Sequence, residues 1–139
     1  MMCNPSKISY GWESFRRNIS HLCASCRYSL DGLIICAREE AAFRQELLMG
    51  AVHLALLFIL DVSLKMAIGL TILYVAVLIA ELINTAIEAT VNLVTSETHP
   101  LAKKAKDCAS AGVFCALVLF VGAWALFVAG RLNLIAIAL

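Results

Sequence analysis

Residues 66–88 read MAIGLTILYVAVLIAELINTAIE, with no charge from Met66 to Ala80 and then Glu81, Asn84 and Glu88 in quick succession. An apolar run of this length predicts a membrane-crossing helix, and a carboxylate at or near membrane depth is costly enough to mark a functional position. At 3.6 residues per turn, positions 81, 84 and 88 share one helical face. Two carboxylates and an amide on one face, near a membrane boundary, suit a cation or a proton. On the residues alone three readings stay open: solvated helix-end side chains, a proton or cation relay of a transporter, or an active site working on something dissolved in the membrane.

The composition agrees with a membrane protein. Of 139 residues 62% are hydrophobic and only 15% charged, and the mean hydropathy is +0.88. A soluble domain of this size is rarely so apolar. The net charge of +1 says little as a sum. Its distribution says more: Lys7, Arg16, Arg17, Arg27, Arg38 and Arg44 precede the first apolar run, Lys103, Lys104 and Lys106 lie between the last two, and only Lys65 and Arg131 fall elsewhere. If the two basic segments share the cytoplasmic side, nine of eleven positive charges lie inside, which fits three spans with a cytoplasmic N-terminus. No cleavable signal peptide is expected, because no apolar core opens the chain. Six cysteines on the cytoplasmic side or within a span are expected to be thiols.

The predicted organisation is all-α. Residues 1–20 read as a flexible extension and 21–139 as one integral membrane domain. Over 21–46, Leu30, Ile34, Ala37 and Ala41 form an apolar stripe while Asp31, Arg38 and Gln45 share a polar face. Such a helix can lie in the membrane interface or pack on a partner domain. Spans are expected at about 47–62, 65–94 and 108–130, the first plausible only if its helix starts early and Arg44 reaches back to the headgroups. Asp61 to Lys65 reads as an external turn and Thr95 to Asp107 as a polar loop. Two rows of small residues, Ala76/Ala80/Asn84 and Cys108/Gly112/Ala116, predict close helix approach.

Further polar residues fall on the same membrane side as Glu81 and Glu88: Glu40 and Arg44, then Glu97, His99, Lys106 and Asp107. Carboxylates from two helices plus a lysine are what a Mg²⁺-nucleotide needs, the metal held by one or two carboxylates and substrate phosphates, the lysine neutralising the transferring group. A further carboxylate sheltered from water could take a proton from an alcohol. Neither Gly-x-x-x-x-Gly-Lys-Ser/Thr nor Gly-x-Gly-x-x-Gly is present. His21-Leu-Cys23-Ala-Ser-Cys26 lacks the second pair a zinc clamp requires. His53 reads as a packed or lumen-facing side chain, Trp124 as packing or an interfacial anchor, and Arg131 as a span-end anchor.

Glu81-Leu-Ile-Asn84-Thr-Ala-Ile-Glu88-Ala, followed by Glu97-Thr-His99-Pro-Leu-Ala-Lys-Lys-Ala-Lys106-Asp107, closely resembles the signature of the prokaryotic diacylglycerol kinase family, which includes the undecaprenol kinases. Upstream, Glu40-Ala-Ala-Phe43-Arg44-Gln45-Glu46, preceded by Tyr28-Ser29 and Gly32, is similar to the second block of the diacylglycerol kinase branch. The resemblance spans about residues 26–130. It implies a homotrimeric, multi-pass bacterial inner-membrane enzyme, with three spans and an interfacial helix per subunit and active sites shared between subunits. It implies transfer of the γ-phosphoryl of ATP, with Mg²⁺, to a lipid hydroxyl. By position, Glu81 matches the general base, Asn84 supports the same site, and Glu40 and Glu88 match metal-associated carboxylates. Tyr28, Glu97, His99, Lys106 and Asp107 match nucleotide positions; Ala41, Ala42, Phe43, Arg44, Gln45 and Ser110 match the lipid side. The chain departs from the diacylglycerol branch at His21, Leu30 and Asn92, where arginine, tryptophan and aspartate are usual, and His99-Pro-Leu-Ala-Lys resembles the undecaprenol branch more. On the Glu40–Glu46 block diacylglycerol is the expected acceptor, with undecaprenol the alternative and a non-enzymatic ion pathway the reading of a different class.

Overall fold

The computed structural model describes the backbone of residues 5–95 and 99–132, with side chains from Ile19 onward. Four helices follow in order: α1 (Pro5–Glu39), α2 (Ala41–Ile59), α3 (Leu64–Val94) and α4 (Pro100–Arg131). Three of them, α2, α3 and α4, are long and apolar enough to cross a membrane. The chain divides into two compact units, residues 1–39 and 40–139.

The first unit is the single helix α1. The sequence predicts an irregular lead-in over 1–20, but the backbone is helical from Pro5. Proline suits a first helical position, where its missing N–H is not needed. Along α1, Leu22, Leu30, Leu33, Ile34 and Ile35 stay exposed. That apolar surface beside Arg27, Asp31 and Arg38 is what a helix lying in the membrane interface carries.

In the second unit, α3 packs against both α2 and α4. The break before α2 is one extended residue, Glu40 (φ −94, ψ 120), whose carbonyl accepts from the Arg44 N–H at 3.3 Å. The α2–α3 turn is closed by Val62 N–H donating to the Leu57 carbonyl and Asp61 N–H to that of Phe58, with Asp61 in the left-handed region at φ 46. This is the Schellman pattern, with a short-chain acid where glycine is usual. Helix α4 begins at Pro100, eight residues before the expected Cys108. Its start is set by Pro100 at the first turn and by His99, whose Nδ1 accepts from the Leu101 N–H at 3.2 Å, so residues 100–107 of the predicted loop are helical.

Buried positions on α2 are Phe43, Glu46, Gly50 and His53; on α3 they are Leu70, Val77 and Glu81. Steps of three, four and seven put each set on one face. The helices run antiparallel, so moving up α2 from Glu46 to His53 matches moving down α3 from Glu81 to Tyr74. At the middle of this seam a Cβ on Gly50 would stand 2.0 Å from the Tyr74 hydroxyl, so only glycine admits that ring. The small-residue rows lie on α3 and α4, outside this α2–α3 seam. Ala76, Cys108 and Gly112 remain exposed, and nothing lies within 4 Å of a Cβ built on Gly112. Rings fill the space instead: His53, Tyr74, Phe120, Trp124 and Phe127 contact one another at centroid separations of 5.4 to 5.9 Å.

Candidate active site

The topology gathers one end of the bundle from the start of α2, the end of α3 and the start of α4. Glu81 is 4% exposed and Glu46 6%. Their charges act on each other across the α2–α3 seam. Glu81 is also within electrostatic reach of Glu88, two turns along its own helix, and of Glu40 at the head of α2. Glu81 thus lies within electrostatic reach of three further carboxylates, those of Glu40, Glu46 and Glu88, at the end of the apolar spans. Each costs roughly 3 kcal/mol at membrane depth, and two buried side by side require a proton or a cation for charge balance.

Several polar atoms are held ready. Glu40 is the N-cap of α2 yet makes no side-chain capping bond, so the backbone does not claim its carboxylate. Asn84 Nδ2 donates to Glu88 Oε1 at 3.3 Å, which turns Asn84 Oδ1 the other way, buried and without a partner. Glu46 Oε2 is likewise buried and unpartnered. Buried acceptors left unpaired are expensive, so this set is arranged for a donor or cation that arrives from outside. The donors are all hard oxygens. Among the described residues no three His, Cys, Asp or Glu converge as a metal cage. One or two carboxylates completed by substrate phosphates is the arrangement Mg²⁺ prefers, so the donor set fits that ion better than a protein-only metal site.

Basic residues approach from α4. Lys106 Nζ donates to Asn92 Oδ1 at 2.7 Å, bringing its ammonium to the α3 face that carries Glu88 one turn earlier. Asp107 pairs with Lys103 on α4. His99 spends Nδ1 on the helix cap, so its proton sits on Nε2, which remains available as a donor. Between the end of α3 and the start of α4 lies an apolar cleft of about 440 Å³ bordered by Thr90, Val94, His99 and Leu101.

Of the expected site residues, Glu40, Glu81, Asn84 and Glu88 come together, with Lys106 reaching the same face. Ala41, Ala42, Arg44 and Gln45 are exposed on the first turns of α2, but Phe43, at 2% exposure, is core. Ser110 is exposed on α4, and Tyr28 is exposed on α1, in the other compact unit. Glu97 lies outside the described residues. Sequence reasoning overlooked Glu46 as a site residue because the first span was started at Leu47. The signal was there: with α2 beginning at Ala41, Glu46 falls on the same stripe as Phe43, Gly50 and His53. It also missed the donor role of Trp124, whose Nε1–H bonds His53 Nδ1 at 3.1 Å. Among the described residues no disulfide joins Cys23, Cys26, Cys36, Cys108 or Cys115, and Cys23 and Cys26 are exposed; Cys3 lies outside the described residues.

A family profile described as prokaryotic diacylglycerol kinase matches residues 27–128. A protein of Pseudomonas aeruginosa named diacylglycerol kinase is 45% identical over 103 residues, covering 74% of this chain and 84% of the relative. Proteins of the same name from Haemophilus influenzae and Escherichia coli K12 are each 38% identical, over 107 and 97 residues, covering 76% and 70% of this chain and 90% and 80% of the relatives.

Proposed function

Because the chain belongs to the prokaryotic diacylglycerol kinase family and is therefore a kinase acting on a lipid alcohol, we propose that it converts diacylglycerol to phosphatidic acid with Glu81 as general base. The choice of diacylglycerol over undecaprenol is supported by the name its relatives carry, diacylglycerol kinase, and by the Glu40–Glu46 block. The observation that carries the proposal is buried Glu81 within electrostatic reach of Glu40, Glu46 and Glu88 in a bundle of three apolar spans. An alcohol that lives in the bilayer and a phosphate donor that lives in water can meet only at such a boundary.

A carboxylate oxygen of Glu81 takes the proton of the lipid hydroxyl as that oxygen attacks the γ-phosphorus, ADP leaves in line, and no covalent enzyme intermediate forms. Glu40 and Glu88 would hold a magnesium ion brought with ATP, which would supply charge neutralisation at the phosphates; Asn84 steadies Glu88, and Lys106 adds positive charge beside the transferring group. Burial of Glu81 keeps bulk water from competing for its proton-accepting oxygen. His99 and Asp107, with Tyr28 and Glu97, serve the nucleotide; Ala41, Ala42, Arg44, Gln45 and Ser110 face the lipid. We place the enzyme in the bacterial inner membrane with its N-terminus cytoplasmic, as a homotrimer whose neighbouring subunits complete each site.

The test is transfer from γ-labelled ATP by the purified full chain in mixed micelles holding diacylglycerol and undecaprenol together. Labelled phosphatidic acid as the main product is expected. Label mainly on undecaprenol would reassign the acceptor, and no label on either lipid would return the ion-pathway reading.

A further inference from the structure

A polar knot that the proposed chemistry does not use ties the three spans together. His53 is 2% exposed among apolar side chains. Its Nδ1 accepts from Trp124 Nε1–H of α4 at 3.1 Å, and an indole can only donate. The proton of the neutral ring must then sit on Nε2, which donates to Thr71 Oγ1 of α3 at 3.2 Å. Both ring nitrogens are satisfied, one by each neighbouring helix. The Tyr74 ring stacks on the imidazole at 5.5 Å and its hydroxyl donates to the Glu46 carbonyl at 3.1 Å. The imidazole, the Tyr74 ring and the α2 backbone therefore form one chain of contacts that ends at the Glu46 carbonyl, on the residue whose side chain is within electrostatic reach of Glu81.

We infer that His53 is a positioning residue for phosphoryl transfer: pinned between Trp124 and Thr71, it sets through Tyr74 the height and rotation of α2 at which Glu46 and Glu40 meet Glu81. The inference rests on Glu81 and its neighbouring carboxylates being the site of transfer. The geometry supports it in two ways. Glu46 and His53 are two turns apart on one stripe, so a rotation at one moves the other. Gly50, midway between them, lets Tyr74 lie so close that the α2–α3 separation and the ring position cannot vary independently.

A purely structural role would lower the amount of folded enzyme and leave its turnover alone. The positioning role lowers kcat per folded enzyme, because a misplacement of the order of an ångström costs roughly 10- to 100-fold. His53→Leu, which removes both hydrogen bonds, is expected to show such a loss of kcat per folded enzyme. His53→Asn keeps an acceptor where Nδ1 stands and is expected to recover most of it. Thr71→Val and Trp124→Phe each remove one bond with little change of shape, and should lower kcat in the same direction even if His53→Leu does not fold. Unchanged kcat in both of these, or equal kcat for His53→Leu and His53→Asn, overturns the inference. Glu81→Gln run alongside separates the two claims. Turnover retained there removes the base assignment, whereas a dead Glu81→Gln beside a fully active Trp124→Phe and Thr71→Val removes only the role of His53.

Discussion

Replacing Gly50 by alanine should destabilise a helix that alanine would ordinarily favour. The added Cβ would stand 2.0 Å from Tyr74 Oη, 2.4 Å from Cζ and 3.0 Å from Cε1. Carbon contacts settle near 3.5 Å, so the ring must retreat by about 1.5 Å. It cannot do so freely, since it stacks on His53 and donates to the Glu46 carbonyl. Overpacking of this kind costs about 1–3 kcal/mol, and the lost hydrogen bond adds about 1 kcal/mol. Against that stands a gain of about 1 kcal/mol in helix propensity. The net loss of about 1–3 kcal/mol is measurable by reversible unfolding in mixed micelles, and kcat should fall with it because Glu46 is displaced. Gly69→Ala, where nothing lies within 4 Å of the new Cβ, should cost nothing or stabilise slightly. Tyr74→Leu added to Gly50→Ala should restore most of the lost stability. If Gly50→Ala unfolds like Gly69→Ala and turns over like the parent, the close α2–α3 seam is not what holds these carboxylates together.

Other outcomes follow from single side chains. Glu81→Gln should leave assembly and MgATP binding intact while turnover drops by roughly 10²- to 10⁴-fold, read with labelled ATP. Glu88→Gln should raise the Mg²⁺ and ATP concentrations needed for half-maximal rate, because it weakens a metal ligand and the anchor of Asn84 together; an unchanged ATP dependence removes Glu88 from the metal. His99→Ala should cost the start of α4 about 1 kcal/mol, seen as roughly fivefold faster hydrogen exchange at the Leu101 amide, and His99→Asn should restore protection.

The spans were legible because hydropathy needs no neighbour to be read: a long uncharged run crosses a bilayer whatever it packs against. Their starts were less so. The beginning of α4 at Pro100 depends on His99 turning its ring nitrogen back to the Leu101 amide, and histidine is not among the usual capping residues, so the stretch read as loop. Helix α2 begins at Ala41, and beginning it at Leu47 hid Glu46. The α2–α3 seam was hidden for a different reason. The small-residue rows mark α3 and α4, whereas the approach of α2 to α3 is fixed by one glycine and the tyrosine above it.

The acidic residues were legible for the opposite reason, that they violate hydropathy. A carboxylate persists at the end of an apolar run only where something compensates it, so Glu81 and Glu88 announce a site without naming its chemistry. What hydropathy could not supply is the partner set from α2, since Glu40 and Glu46 lie 41 and 35 residues before Glu81 in the chain and join it only through the antiparallel register of α2 and α3. That register is set by a neutral histidine, a tyrosine hydroxyl and a glycine, none of which carries charge or contacts the acids through its own side chain except by way of the Glu46 backbone. A loose bundle with the same acids would pay their desolvation without gaining a defined geometry. Rigidity beneath the boundary is therefore as much a requirement of this chemistry as the acids at it, and substitutions in the Gly50–His53–Tyr74 layer should reduce kcat although they replace no acidic residue.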